Sequence, residues 1–558
     1  MGPGRRSTLL VATLALVLSA CGGGGGTELR TPDQQARGAQ AINAQDPATL
    51  QDGGDLRLPL DSLPSNYNYN HIDGHEGATR EVLWALMPRV FNHGIDGGSE
   101  LNTDYVTSAE LTSMNPQVVT YRINPAATWD TGRPITWEDF EAQWRTENGS
   151  EPAYVIQDKT GYEDITAVER GADDKEVIVT FGKPFAEWQA LFVALYPKES
   201  HASPEAFNTG WLQRPAMTAG PFTVESIDPV AKTIVLTRNE NWWGAKPRLN
   251  RVIFTETDRA ALPDRLANNE IDWYTIGSNI NLYQRARTIP GVEIRQALEK
   301  QYAHITFNGA AGAILADKPL RQAIAQGIDR RAITQRLIGQ ILPDAPLQQH
   351  HIFPIGGNGY RDNSAFPFDQ AAARRGLDAL GWAPQGEVRV KDGTELNLRF
   401  IVPANNPTSD QTARIVLEQL SQIGVRVTIE VVPTADFFAG FVNRGNFDLT
   451  SFQWLNTDTP FSSSPAVYQE PIGDNVGGNY GRIYDPEISA LFAEGLQEFD
   501  EAARIEIANR IDAMIWDEVH HIPLFPQTGA YATRSTLANW GAKGLGDWNY
   551  LNVGFMRQ

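Results

Sequence analysis

The 558-residue chain carries 47 basic and 67 acidic residues, a formal net charge of −20. That balance excludes a nucleic-acid partner, which needs clustered Lys and Arg, and an adhesive basic face for anionic lipid. The one cysteine, Cys21, provides neither a disulfide framework nor thiol chemistry in the body of the protein. A chain of this length exceeds what one core supports, so two or three lobes are expected.

Residues 1–20 have the layout of a secretory signal peptide. Arg5 and Arg6 give a positive start, Leu9 to Leu18 an apolar run, and Ser19-Ala20 a small-residue end. The run is shorter than the about 20 residues a membrane-spanning helix needs. Leu18-Ser19-Ala20-Cys21 resembles a bacterial lipobox, which implies lipidation of Cys21 and cleavage before it. Five glycines, Gly22 to Gly26, follow without side chains to pack. Residues 21–52 therefore read as a lipidated flexible tether.

Strands and helices alternate through the body. Val118 to Ile123, Val177 to Phe181 and Thr233 to Thr237 have strand character. Asp369 is placed to cap a helix containing Leu377 and Leu380, with Gly381 at its C-terminal end. Leu396 to Val402 reads as a strand. A helix from Asp410 sets Ala413, Val416, Leu417, Leu420 and Ile423 on one face and ends at Gly424. Val425, Val427, Ile429 and Val431 then alternate with polar residues. Asp485-Pro486 opens a helix with Ile488, Leu491, Phe492 and Phe499 along one stripe, and a last helix spans about Glu501 to Val519. The pattern implies helices covering sheets, an α/β architecture.

Catalytic signatures are missing. There is no Gly-x-Ser-x-Gly elbow and no Gly-x-x-x-x-Gly-Lys phosphate loop. Gly356-Gly357-Asn358-Gly359 lacks dinucleotide spacing. His71 and His75 stand four apart beside two acids, but Gly74 and Gly77 argue against one helix and a zinc site. The pairs His350-His351 and His520-His521 are poor chelates and read as surface or hydrogen-bonded imidazoles. Neither an enzyme nor a cofactor nor a metal is expected.

The stretch Tyr121 to Phe140, with Trp129, Gly132, Trp137, Glu138 and Asp139, resembles the signature of the family 5 extracellular solute-binding proteins. These are the dipeptide- and oligopeptide-binding receptors of ABC importers. More blocks follow in the family's order: Thr218 to Phe222, Arg238 to Gly244, Leu266 to Asp272, Phe307-Asn308, Leu320 to Arg330, Phe368 to Trp382, Gly445 to Leu449 and Ile522 to Leu524. Two depart from the pattern, with Glu240 in place of Pro and Asn269 in place of Gly. Trp129, Gly132, Trp137, Asn308 and Asp329 are expected to hold the fold, not a ligand.

The resemblance implies an α/β, two-lobe, periplasmic-binding-protein-like clamp of type II, the large peptide-binding class, with an extra subdomain in the first lobe. It sets lobe I at 53–300 with the subdomain at about 80–215, lobe II at 301–521, and a return to lobe I over 522–558. The crossings fall near 298–306 and 520–526. It further implies a monomer at the cell membrane that closes on a small peptide ligand and delivers it to ABC transporter permease subunits. In the family an Asp following a Trp holds the peptide's ammonium group. Here Trp454-Leu-Asn-Thr-Asp458-Thr-Pro460 is one residue short, and Thr457 stands at the expected position. Asp458 and Trp454 are the first candidates for ligand binding, and the loop Tyr67, Asn68, Tyr69, Asn70 and His71 is the second. The altered segment and the many aromatics leave open a non-peptide solute, such as an oligosaccharide, an opine-like compound or a metal chelate.

Overall fold

The computed structural model describes residues 40–457, 459–471 and 476–557. Cys21, the glycine run and Asp458 lie outside the described residues. The first lobe is built on a four-stranded sheet, Asp55–Leu60, Arg251–Glu256, Thr233–Arg238 and Phe222–Asp228 in spatial order. Its first pair is parallel and the others are antiparallel. Leu56, Leu58 and Leu60 all turn inward, the period of two expected of a half-buried strand. Beside it stands a three-stranded sheet in which Ala530–Arg534 lies between Trp273–Thr275 and Val292–Gln296. The C-terminal chain thus supplies the central strand of a sheet whose edges come from the middle of the sequence.

Between the strands Asp55–Leu60 and Phe222–Asp228 the chain builds a separate antiparallel sheet. Its order is Val106–Met114, Gln117–Ile123, Glu176–Phe181, Ile165–Arg170. The helix Trp137–Glu147 packs on it. The Tyr121 to Phe140 motif is explained by Asp139, whose carboxylate is fully buried. It accepts hydrogen bonds from the amides of Thr136 and Lys198, each at 2.9 Å, and from the Arg133 guanidinium at 2.7 Å. The Asp139 amide in turn donates to the Thr136 carbonyl at 3.1 Å. Gly132 has a φ of +82°, which the turn between Trp129 and Arg133 requires.

The second lobe carries a five-stranded mixed sheet in the order Arg426–Val432, Asn397–Pro403, Leu449–Leu455, Gln301–Phe307, His521–Pro526. Pro407–Ser421 packs on three of its strands and Arg330–Ile338 against a fourth. Asp369 and Asp485 cap their helices as expected, and Gly381 and Gly424 adopt positive φ. Asn308, expected to be structural, donates to the carbonyls of Gly445 and Phe447 and so ties two family blocks together.

Several expectations are corrected. Residues 41–52, expected within the tether, are docked: Ala41 pairs with Ala542, Gln51 donates to Phe555, and Leu50 is buried. The helix expected from Asp410 begins at Pro407, because Asn406 caps it. Phe499 lies beyond the helix Pro486–Gly495 and so off its stripe. Val431 is exposed and Val432 buried, since the alternation slips at the end of an edge strand. Of the two readings of His350, His351, His520 and His521, the surface one fails and the hydrogen-bonded one holds: all four are buried and bonded, and His351, His520 and His521 cluster with His304. The Asp512 carboxylate lies 2.6 Å from the His351 ring and accepts the His351 amide.

The two lobes are joined where Ala297 to Gln301 passes Gln527 to Gly529. The Gln527 amide donates to Gln301 at 2.7 Å, and the Ala297 amide donates to Gly529 at 3.2 Å. Gly529 has a φ of +52°, and a Cβ there would collide with the Ala297 carbonyl oxygen. Gly529→Ala is therefore expected to cost about 2–4 kcal/mol of folding stability. Urea unfolding measures it, and a loss below about 0.5 kcal/mol contradicts the close crossing.

Candidate functional site

A cavity of about 810 Å³ separates the lobes, with the crossing residues Glu299 to Tyr302 and Gln527 at its base. The first-lobe wall is aromatic. Trp273 stacks on Tyr531 with ring centroids 5.0 Å apart, and Trp548 meets Trp273 edge-on at 5.3 Å while stacking on Trp540 at 5.2 Å. The second-lobe wall starts from the strand Leu449–Leu455. Trp454 on that strand is half-buried and stacks on Tyr480 at 5.6 Å, their planes 6° apart. A flat apolar face is thus presented from each lobe.

The charges are divided unequally between the walls. Asp61, Glu81, Glu299 and Asp547 face the cleft from the first lobe and the crossing, as do Arg80, Arg259, Lys300 and Lys543. The second-lobe wall adds amides and hydroxyls, among them Gln453, Asn456, Thr457, Thr459 and Ser463, and no charged side chain among the described residues. Burial pushes the Glu81 carboxyl up to about 7. It also raises Glu299, which accepts the Tyr531 hydroxyl, and lowers the Lys543 ammonium. Lys543 sits 5.4 Å from the centre of the Trp548 ring and donates to the Gly546 carbonyl. Burial works to raise Asp547 as well, but Arg89 at 2.7 Å and His93 hold its carboxylate well below the usual range.

One backbone edge is open at the same place. Gln301–Phe307 pairs along the whole of Leu449–Leu455 on one side. On the other side Asn397–Pro403 pairs only with Leu449 and Thr450. Ser451 is closed off, its carbonyl accepting the Ser409 hydroxyl at 3.0 Å, and no strand among the described residues covers that edge of Gln453 to Leu455, where the chain enters the cleft.

The sequence candidates divide. Trp454 and Tyr69 both line the cleft, Tyr69 with its ring 4.3 Å from His75 and 5.2 Å from Trp84. Asn70 faces a neighbouring pocket and donates to Glu147 at 2.5 Å. Tyr67, Asn68 and His71 turn away into the lobe. Tyr67 bonds Trp211 and Tyr196, Asn68 donates to Phe207, and His71 caps a short turn by accepting the Asp73 amide. Asp458 lies outside the described residues, between Thr457 and Thr459, which both line the cleft. Sequence reasoning missed Trp273, Glu299, Tyr531, Lys543 and Trp548. They come from three separate segments, and only the density of Trp and Tyr over 540–550 hints at them.

Two lobes on mixed sheets, crossed twice by the chain around a cleft, define a type II solute-binding clamp. Residues 100–474 match the family described as bacterial extracellular solute-binding proteins, family 5 middle. The chain is 42% identical over 553 residues to the oligopeptide-binding protein OppA of Mycobacterium tuberculosis, covering 98% of this chain and 93% of that one. The periplasmic EDTA-binding protein EppA superposes with a TM-score of 0.85 at 26% identity, over 93% of this chain and 99% of that one. The oligopeptide-binding protein AppA of Bacillus subtilis, solved with a nonapeptide, superposes at 0.73 with 18% identity, over 91% of this chain and all of that one. This chain belongs to the family 5 extracellular solute-binding proteins.

Trp454→Ala is expected to weaken ligand binding by about 1–3 kcal/mol. Stability is expected to change little, because the ring is half exposed. Titration calorimetry measures the first and thermal unfolding the second; unchanged affinity contradicts a ligand role for Trp454.

Proposed function

We propose that this protein is an extracytoplasmic lipoprotein that captures peptides in the interlobe cleft and passes them to the permease of an ABC importer. The carrying observation is the uncovered strand edge at Gln453 to Leu455, open to the cleft. A peptide laid there satisfies its own amides and carbonyls as an added strand, whatever its side chains. The mixed charges opposite suit a zwitterion, with carboxylates for the ammonium end and cations for the carboxylate end. The 42% identity to a protein named for oligopeptide binding supports the same reading.

In this proposal Trp454 and Tyr69 contact the ligand directly, and Asp458 pairs with the ammonium. Asn70 acts through the side pocket, while Tyr67, Asn68 and His71 hold the loop in place. Lobe II takes in 301–526, because His521–Pro526 pairs in its sheet and the return crossing falls at Gln527 to Gly529, not near 520–526 as expected; lobe I takes in 53–300 and the return from Gln527 onward. Closure of lobe II over the first-lobe wall buries the ligand, driven by contacts made only in the closed form. The protein works as a monomer, held outside the membrane by lipid on Cys21.

Native mass spectrometry of protein released gently from membranes tests all of this at once. A ladder of short-peptide masses is expected on a chain beginning at an acylated Cys21. A single sugar or metal-chelate mass contradicts peptide capture, and an unacylated mature chain contradicts the anchor.

A further inference from the structure

A second cavity of about 320 Å³ opens off the cleft, between the subdomain and the second lobe. Tyr69, His93, Val193, Thr459 and Ser463 line both spaces, so the smaller is a branch of the larger. Its apolar lining includes Phe91, Phe185 and Leu191, and its carboxylates are Glu147 and Asp158. No Lys or Arg lines it among the described residues.

Glu147 is an unusual residue to keep in such a place. It is only 4% exposed. It is the last residue of the helix Trp137–Glu147, where the helix dipole disfavours an anion. Its donors are neutral: the Asn70 amide at 2.5 Å, with Tyr162 and Gln143. No ion pair reaches it among the described residues. A buried carboxylate without a cation costs several kcal/mol unless it takes a proton. Burial accordingly pushes this carboxyl up to about 8. The fold gains nothing evident from a carboxyl there, since a neutral amide would accept the same Asn70 hydrogen bond.

We propose that this branch is a side-chain subsite of the cleft that selects a lysine or arginine side chain of the bound peptide, with Glu147 as its counter-charge. The inference rests on the peptide reading and adds a specificity to it. The long stem of such a side chain packs along Phe91, Phe185 and Leu191 while its charged end reaches Glu147. Thr459 and Ser463 belong to the second lobe, so the subsite is complete only with both lobes in place. The other titratable groups facing it are Tyr69, His75, His93, Asp158 and Tyr162.

The test uses the full-length protein and tetrapeptides that carry lysine, or its uncharged isostere norleucine, at each position in turn. The wild type is expected to bind one lysine peptide at least tenfold more tightly than its norleucine partner. Glu147→Gln is expected to abolish that ratio. Since the free carboxyl holds a proton near neutral pH, seating the cation expels it. The wild-type ratio therefore rises between pH 6 and pH 8, and calorimetry at pH 7 in buffers of different ionisation heat registers proton release. A purely structural Glu147 moves neither readout. Equal wild-type binding of every lysine and norleucine pair overturns the subsite and leaves peptide capture standing, as does a ratio that survives Glu147→Gln. Binding of no peptide at all overturns both. If Glu147→Gln fails to fold, the wild-type ratio and its pH dependence decide the question.

Discussion

Everything in this molecule hangs on two chain segments held side by side. Ala297 to Gln301 leaves the first lobe as Gln527 to Gly529 returns to it, and hydrogen bonds tie the two at both ends. Gly529 permits the approach, since any side chain there would meet the Ala297 carbonyl. The pairing fixes where the cleft floor lies. It also delivers Gln301–Phe307 and His521–Pro526 to the second-lobe sheet, and Val292–Gln296 and Ala530–Arg534 to the first-lobe sheet. A joint of two adjacent strands allows the lobes to swing while keeping their faces in register, as hinge closure needs.

The cleft is an electrostatic compromise built on that joint. Charged groups of both signs sit close together in a partly desolvated space, and burial shifts Glu81, Glu299 and Lys543 toward neutrality. Such groups gain most from a partner that carries both charges. The facing wall offers no charge among the described residues, only aromatic planes, amides, hydroxyls and an open strand edge. In the proposed binding mode, charge sets the ends of a peptide and backbone pairing holds its middle.

Much of the fold was legible in the sequence because its signals are local. Asp369 and Asp485 cap helices through hydrogen bonds to amides two or three residues on, so a short window suffices to see them. The Tyr121 to Phe140 block is legible for a similar reason: Asp139 needs Thr136 and Arg133 within a few residues. Family motifs of this sort mark turns and buried hubs, not ligand contacts. The site was less legible, since its residues meet only through long-range folding. Trp273, Tyr531 and Trp548 form one wall from distant segments. In the loop that was read as binding, Tyr69 faces the cleft while its neighbours Tyr67, Asn68 and His71 are spent on hydrogen bonds within the lobe. A run of Tyr and Asn does not reveal which of its members face inward.

The central claim is that a peptide adds itself to the open edge of Gln453 to Leu455 and the lobes close over it. Amide hydrogen exchange of the wild-type protein, with and without a bound peptide, tests this most directly. The account predicts strong slowing at Gln453 and Leu455, together with slowing across the facing first-lobe residues Trp273 to Gly277. Saturating peptide with no added protection along Gln453 to Leu455 would contradict it.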